Sequence, residues 1–95
     1  MRGIEGRLDL HGMTQAEAHE ALNGFLAGSA TRGRRTVLVV TGRGGRGSEG
    51  PGVLRRMVPR WLNEPGNRDR LLAFTEAQPK DGGAGALYLL LRKRR

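Results

Sequence analysis

The sequence predicts an α/β protein of the two-layer α+β sandwich type, with a mixed four-stranded sheet and two helices in the order βαβαββ. Three features predict this class: polar and apolar residues alternate over residues 8–11, two segments carry apolar residues at helical spacing, and residues 36–40 form an unbroken apolar and β-branched run. Alternation is typical of a half-exposed strand, whereas an unbroken run indicates a strand buried on both faces. We expect both helices on one face of the sheet, which leaves the other face freer to bind a ligand.

The first strand is predicted to follow a short tail or linker remnant, residues 1–6, so that residues 7–95 form the domain. Leu8 and Leu10 would point into the core, because side chains alternate across a strand. Asp9 and His11 would then share the opposite face, near the Gly12 that ends the strand. Such a pair is either solvated surface or a carboxylate that orients an imidazole and favours its charged form.

The first helix begins with a capping box, with Thr14 at the N-cap and Glu17 three residues later. Gly28 is its expected end. His19 lies off the apolar side and is expected to be a solvated residue without a role. The apolar positions follow the spacing of an amphipathic helix: Ala18, Ala21, Leu22, Phe25 and Leu26.

The second helix is predicted from another set of apolar residues at helical spacing. Pro59 interrupts it, so a kink or a restart is expected there. Trp61 is in phase with the apolar residues and is predicted to be core, not a platform for stacking bases. Residues 64–67 end the helix, residues 71–75 and 86–92 are the last two strands, and residues 78–85 form the loop between them. The apolar residues of this helix are Val53, Leu54, Met57, Val58, Trp61 and Leu62.

Composition limits the classes of protein to be considered. The 95 residues suffice for one domain, and the absence of cysteine excludes disulfides and thiolate metal sites. No apolar run approaches the ~20 residues of a membrane span, and the N-terminus has no secretory h-region. We therefore expect a cytoplasmic protein, and a monomer, because no dimer seam is evident.

Charge is the strongest compositional signal. Seventeen Lys and Arg residues against nine Asp and Glu residues give a net charge of +8, and eight arginines but only one acid lie between Arg32 and Arg60. Arginine forms two-point contacts with phosphate oxygens, so the clustering indicates a polyanion partner, most simply nucleic acid. The alternative is an arginine-rich composition that reflects codon usage alone.

A glycine-rich loop follows the second strand, and six of residues 41–52 are glycine. Residues 42–47 match G-x-G-x-x-G, but a dinucleotide site would need a helix to open within the motif and an acid after the next strand at closer spacing. An anion cradle fits better, in which backbone N–H groups and the forked side chains of Arg43 and Arg46 face a phosphate. The other possibility is simply a mobile glycine loop.

Together the motifs resemble those of the small MutS-related (Smr) domain family. Residues 8–12 (LDLHG), residues 41–44 (TGRG) and residues 82–87 (GGAGAL) are similar to the family's LDLHG, TGxG and late GGxGA motifs, in the same order. The loop after TGRG contains more glycine and arginine residues than a minimal form of the family's loop. The resemblance covers residues 7–92, whether as a stand-alone or an excised domain.

The resemblance implies a fold similar to the C-terminal domain of translation initiation factor three. It also implies a nucleic-acid-binding domain, with family members that nick DNA or cleave RNA, some of them at stalled ribosomes. Asp9 and His11 correspond to the family's proposed catalytic Asp-x-His element, and Thr41, Gly42, Arg43 and Gly44 to its nucleic-acid-binding element. Arg46 and Arg55, from the arginine cluster, complete the predicted binding set.

The mechanism expected from these residues is general acid–base cleavage of a phosphodiester. His11 would move the proton, Asp9 would orient the ring, and Arg43 with the loop amides would hold the phosphate. One Asp and one His make a poor metal site, so no metal site and no other cofactor are predicted, and dependence on a divalent metal is left open. This favours RNA, which supplies its own 2′-OH, over DNA, which needs an activated water.

Two other functions remain open on the sequence. The domain could be a non-catalytic nucleic-acid-binding or ribosome-binding module, in which Asp9 and His11 serve recognition. It could also be a regulatory domain that needs a larger parent protein for activity.

Overall fold

The computed structural model describes residues 3–43 and 52–93. Four strands and three α-helices occur within these residues. In chain order they are β1 (Gly6–Asp9), α1 (Gln15–Thr31), β2 (Thr36–Val40), α2 (Val53–Leu62), α3 (Pro65–Arg68), β3 (Leu71–Glu76) and β4 (Ala86–Leu91). None of the helices described has the length and apolarity to cross a membrane.

The four strands form one mixed sheet in the order β1-β2-β4-β3. β1 runs parallel to β2, with Asp9 opposite Val40, whereas β4 is antiparallel to both β2 and β3. The parallel pair is joined through α1, as a βαβ crossover requires. The predicted βαβαββ order and mixed sheet are therefore confirmed.

The sheet has one face covered by helices and one that is not. Leu10, Val37 and Leu89 lie on the covered face, in a core with Leu22 and Leu26 of α1 and with Leu54, Val58 and Trp61 of α2. The other face carries a small cluster of Leu38, Ala77 and Ala86, against which Ile4, Val40 and Tyr88 pack. The expectation of both predicted helices on one face is confirmed, as is the assignment of Trp61 to the core.

α1 begins as predicted but ends later. The Thr14 side chain accepts a hydrogen bond from the Glu17 N–H, and the Glu17 side chain accepts one from the Thr14 N–H. The expected end at Gly28 is wrong, because α1 runs on to Thr31. The chain turns instead at Gly33, whose φ of 71° is the left-handed conformation that usually follows a helix end.

The chain joins the fold before residue 7. Ile4 packs on the open face of the sheet. The Glu5 carboxylate accepts hydrogen bonds from the N–H groups of Arg35 (2.6 Å) and Thr36 (3.2 Å), and the Glu5 N–H donates to the Thr36 carbonyl. The pairing of β1 with β2 is thus continued by Glu5, which belongs to the segment expected to be a tail.

α2 passes through Pro59 as one helix, because buried residues on both sides of the proline, Leu54 and Trp61, hold the two halves against the core. The turn expected at residues 64–67 is the helical turn α3, with Pro65 at its first position. The prediction that His19 is a solvated side chain is wrong. Its ring stacks on Trp61 at 4.5 Å between centroids, and its Nε2 lies 2.7 Å from Glu64.

Candidate active site

Asp9 and His11 lie where β1 ends. The Leu10 N–H still donates to the Val40 carbonyl, and the chain then turns, with the Met13 N–H donating to the Leu10 carbonyl. Gly12 takes the positive φ of 82° that the third position of a type II turn requires. The strand therefore ends at Asp9, and His11 occupies the second position of a β-turn instead of the last position of a strand.

The predicted pairing of the two side chains is present. The Asp9 Oδ1 lies 2.6 Å from His11 Nδ1 and also accepts the His11 backbone N–H at 3.0 Å. Both side chains remain accessible, with 51% of Asp9 and 69% of His11 exposed. The couple is held by its own hydrogen bonds and is open to a large substrate.

The electrostatics of the couple favour an ionised Asp9. Partial desolvation would raise the pKa of this carboxyl, but the hydrogen bonds from the His11 ring and backbone, with the charge of the ring, lower it below its ordinary value. An ionised carboxylate only accepts, so the proton of the contact belongs to Nδ1. In the neutral ring, Nε2 then carries the free lone pair, and no described residue binds it.

The TGRG segment reaches this couple through Gly42. Gly42 has φ 83°, and a Cβ added to it would lie 3.4 Å from the Cβ of His11. The segment follows β2 directly, and β2 is the partner of β1, so the register brings residues 9–11 beside residues 40–42. The structure thus brings His11 and Gly42 together at one end of the sheet, as the sequence predicts.

The GGAGAL segment forms the floor below Arg43. The N–H groups of Thr41 and Gly42 both donate to the Gly85 carbonyl, at 2.8 and 3.0 Å. A Cβ on Gly85 would lie 2.9 Å from the Gly42 carbonyl carbon and 3.1 Å from Arg43 Cγ, and one on Gly83 would lie 3.3 Å from Arg43 Nη2. Arg43 can cross this segment only because these positions have no side chain.

Gly83 and Gly85 are site residues that the sequence reasoning did not assign. The motif containing them was recognised, but its role was not, because the contacts with Arg43 span forty residues of chain or more. The glycine-rich segment directly before the last strand is the one signal that could have indicated a close backbone approach.

Thr41 occupies a supporting position. It is 8% exposed, and its hydroxyl lies within hydrogen-bond distance of the carbonyls of Gly42 (3.0 Å) and Gly85 (3.3 Å). Its side chain is directed to the backbone, so it can act on a ligand only by fixing Gly42 and Arg43.

Of the remaining predicted binding residues, the structure describes only Arg55, and it does not bring Arg55 to the couple. Arg55 is exposed in the first turn of α2, and no hydrogen bond or ion pair of the described residues links it to Asp9 or His11. Gly44 and Arg46 lie outside the described residues. Within residues 3–43 and 52–93, no three His, Cys, Asp or Glu side chains are grouped as metal ligands.

Residues 8–92 match the family model of the Smr domain. The chain belongs to the Smr domain family. Among curated relatives, it is 34% identical over 77 residues to the probable DNA endonuclease SmrA of Escherichia coli, an alignment covering 81% of this chain and 40% of the relative. It is 36% identical over 84 residues to the ribosome rescue factor SmrB of Vibrio vulnificus, covering 88% of this chain and 43% of the relative. The chain thus spans about two fifths of these relatives.

Solved Smr domains have the same fold. The Smr domain of Thermus thermophilus MutS2 superposes with a TM-score of 0.75 at 31% identity, over 92% of this chain and 98% of that one. YdaL, a stand-alone small MutS-related protein from Escherichia coli, gives a TM-score of 0.80 at 32% identity, over 92% of this chain and 64% of that one.

Proposed function

We propose that this Smr domain binds nucleic acid and cleaves its phosphodiester backbone. His11 is the proton-transfer residue, Asp9 its positioning residue, and Arg43 with the backbone of residues 41–43 the phosphate-binding element. The observation that carries the proposal is the contact of the Asp9 carboxylate with His11 Nδ1. It leaves Nε2 free on an exposed ring, whose Cβ lies close to Gly42, the residue before Arg43.

RNA is the substrate that needs least from this site. Nε2 of the neutral ring takes the proton of a 2′-hydroxyl, the 2′-oxygen attacks the adjacent phosphorus, and the 5′-oxygen of the next nucleotide leaves. Asp9 stabilises the imidazolium that forms, and Arg43 offsets the charge that develops on the phosphoryl oxygens. The protonated ring then returns its proton to the leaving oxygen or to solvent.

The activity can be tested on three substrates: single-stranded RNA, duplex DNA and supercoiled plasmid, each with and without EDTA. Cleavage by wild type that is lost in His11→Ala supports the proposal. Cleavage should persist in the control His19→Ala, which removes the other histidine, provided that thermal unfolding shows that the control is folded. Equal residual cleavage by wild type and His11→Ala would identify a contaminating nuclease and contradict the proposal.

A second substrate comparison tests the nucleophile. RNA with 2′-O-methyl groups keeps the phosphates but lacks the attacking hydroxyl, so we expect it to bind and to resist cleavage. Cleavage of the methylated RNA at an undiminished rate would instead indicate attack by water.

The second candidate is a non-catalytic nucleic-acid-binding or ribosome-binding module. The match to ribosome rescue factors named SmrB favours it, and the high exposure of Asp9 and His11 is compatible with recognition. Binding of RNA without cleavage, weakened by His11→Ala, would support this candidate. Because the chain covers only part of such relatives, a regulatory domain within a larger protein is the form that this candidate could take.

A further inference from the structure

The arginine cluster of the sequence is divided between two ends of the molecule. Arg43 lies at the end of the sheet that holds Asp9, whereas Arg32, Arg34 and Arg35 precede β2 at the opposite end. The antiparallel register brings two further segments to that opposite end, since Leu71 of β3 pairs with Leu91 of β4. Arg70 precedes the first of these strands, and Arg92 and Lys93 follow the second.

Arg70, Arg92 and Lys93 line an open cleft of about 390 Å³ beside the C-terminal end of α1. The Arg92 N–H donates to the Arg70 carbonyl at 2.8 Å, which fixes the two arginines as neighbours. Ala27 and Ala30 form the α1 wall, and their small side chains leave the cleft open. The cleft is therefore a concave, cationic site separate from Asp9 and His11.

We propose that this cleft binds a backbone phosphate of the same polynucleotide that the candidate active site cleaves. This inference rests on the proposed function. Arg92 and Lys93 are exposed and, in the part of the chain that the structure describes, form no ion pair with a carboxylate. Asp69 also lines the cleft, so one acid stands against three cations and the site keeps a positive charge.

The distance between the two sites determines the length of nucleic acid that can use both. Ala86, beside the candidate active site, and Arg92, in the cleft, are six residues apart, which is about 20 Å at ~3.3 Å per strand residue. Phosphates of one duplex strand advance ~3.4 Å each along the axis, so about six base pairs separate the two contacts. Shorter duplexes can occupy only one site.

The test compares binding of hairpins of DNA and of RNA with stems of about four and about fourteen base pairs, across a range of salt concentrations. The variants are Arg92→Gln and the double variant Arg92→Gln/Lys93→Gln. The matched control is Arg60→Gln, which removes one exposed arginine from the last turn of α2. Fluorescence anisotropy reports affinity, and thermal unfolding checks that each variant is folded.

We expect the double variant to bind the long stem about tenfold more weakly at 0.1 M salt and to lose ~0.9 units of salt slope, the value for one phosphate contact. Binding of the short stem should change no more than in Arg60→Gln. Equal losses for both stem lengths, or a long-stem loss no larger than the control's, would overturn the cleft while the proposed function stands. Failure of wild type to bind any hairpin would overturn both.

Discussion

Asp9 and His11 have different parts in the proposed chemistry, because only the ring reaches the substrate. Asp9 holds Nδ1 and the His11 backbone with the same oxygen, so it fixes both the orientation of the ring and the tautomer. Its lowered pKa keeps the carboxylate ionised across the pH range in which an imidazole changes charge. The couple is therefore intact wherever the ring can act as a base.

Asp9→Asn should lower the cleavage rate without weakening binding, and by less than the ~10²–10⁴-fold loss expected for His11→Ala.

Because folding lowers the pKa of Asp9, its contribution to stability is present above about pH 4 and is lost as the pH falls through the folded-state value. The difference in unfolding free energy between wild type and Asp9→Asn should thus shrink below pH 4. Single-turnover kinetics and urea denaturation at several pH values measure both effects. A difference that grows on acidification would contradict the assignment.

Arg43 is the phosphate contact proposed among the described residues, and it follows Gly42, which lies against His11. Arg43→Ala should weaken binding to unrelated sequences equally and reduce the salt slope by about one unit, since one phosphate contact is lost. Arg60→Ala, an exposed arginine of α2, is the matched control. An unchanged slope in Arg43→Ala would remove Arg43 from the phosphate-binding element.

At the scale of the elements, a side chain can replace a glycine in α1 but not one in the TGRG segment. A Cβ at Gly28 of α1 would meet nothing within 4 Å, whereas Gly42 has a positive φ and lies against His11. Gly28→Ala should stabilise the fold by ~0.5–1 kcal/mol, because alanine is the better helix residue. Gly42→Ala should destabilise it by ~1–2 kcal/mol through its left-handed backbone, and the added Cβ would lie in van der Waals contact with His11. Thermal unfolding of the two variants measures both changes in stability, and a cleavage assay of Gly42→Ala measures any effect on His11. Equal changes in stability for the two variants would contradict this account.

Local patterns predicted the elements that depend on local interactions. The capping box places the start of α1, and the alternation of leucines places Asp9 opposite the core. The end of α1 was missed because Gly28 and Gly33 are equally good stops locally, and only the backbone geometry selects Gly33. Glu5 and His19 were missed because their partners, Arg35 and Glu64, are distant in sequence.

The candidate site divides in the same way. Strand alternation predicts that Asp9 and His11 share a face, and the two side chains do meet, although His11 reaches Asp9 from a β-turn and not from the strand. A βαβ crossover predicts that residues 40–42 lie beside them. The floor under Arg43 requires knowing that Gly85 accepts the Thr41 and Gly42 N–H groups, which depends on the order of β2 and β4 in the sheet. No pattern within either segment contains that information.

At the scale of the whole molecule, the two faces of the sheet are stabilised differently. The covered face has a continuous apolar core, whereas the open face has a small apolar cluster and the polar contacts of Tyr88. The Tyr88 hydroxyl donates to the Asp81 carboxylate and accepts the Gln78 N–H. These bonds tie the loop before β4 to the open face.

The open face should therefore give the protein an alkaline limit of stability. The hydrogen bond to Asp81 raises the pKa of Tyr88 above its ordinary value, and desolvation adds to this. A raised pKa means that the stabilisation is present below about pH 10 and is lost as the pH rises through the folded-state value. Tyr88→Phe should accordingly be less stable than wild type at pH 8, and the difference should shrink above pH 10.

The control Asp81→Asn keeps an acceptor but removes the charge, so its stability should depend less on alkaline pH than that of wild type. Guanidinium denaturation from pH 8 to pH 11 measures all three proteins, and a wild-type advantage that persists undiminished at pH 11 would show that the Tyr88–Asp81 contact does not stabilise this face.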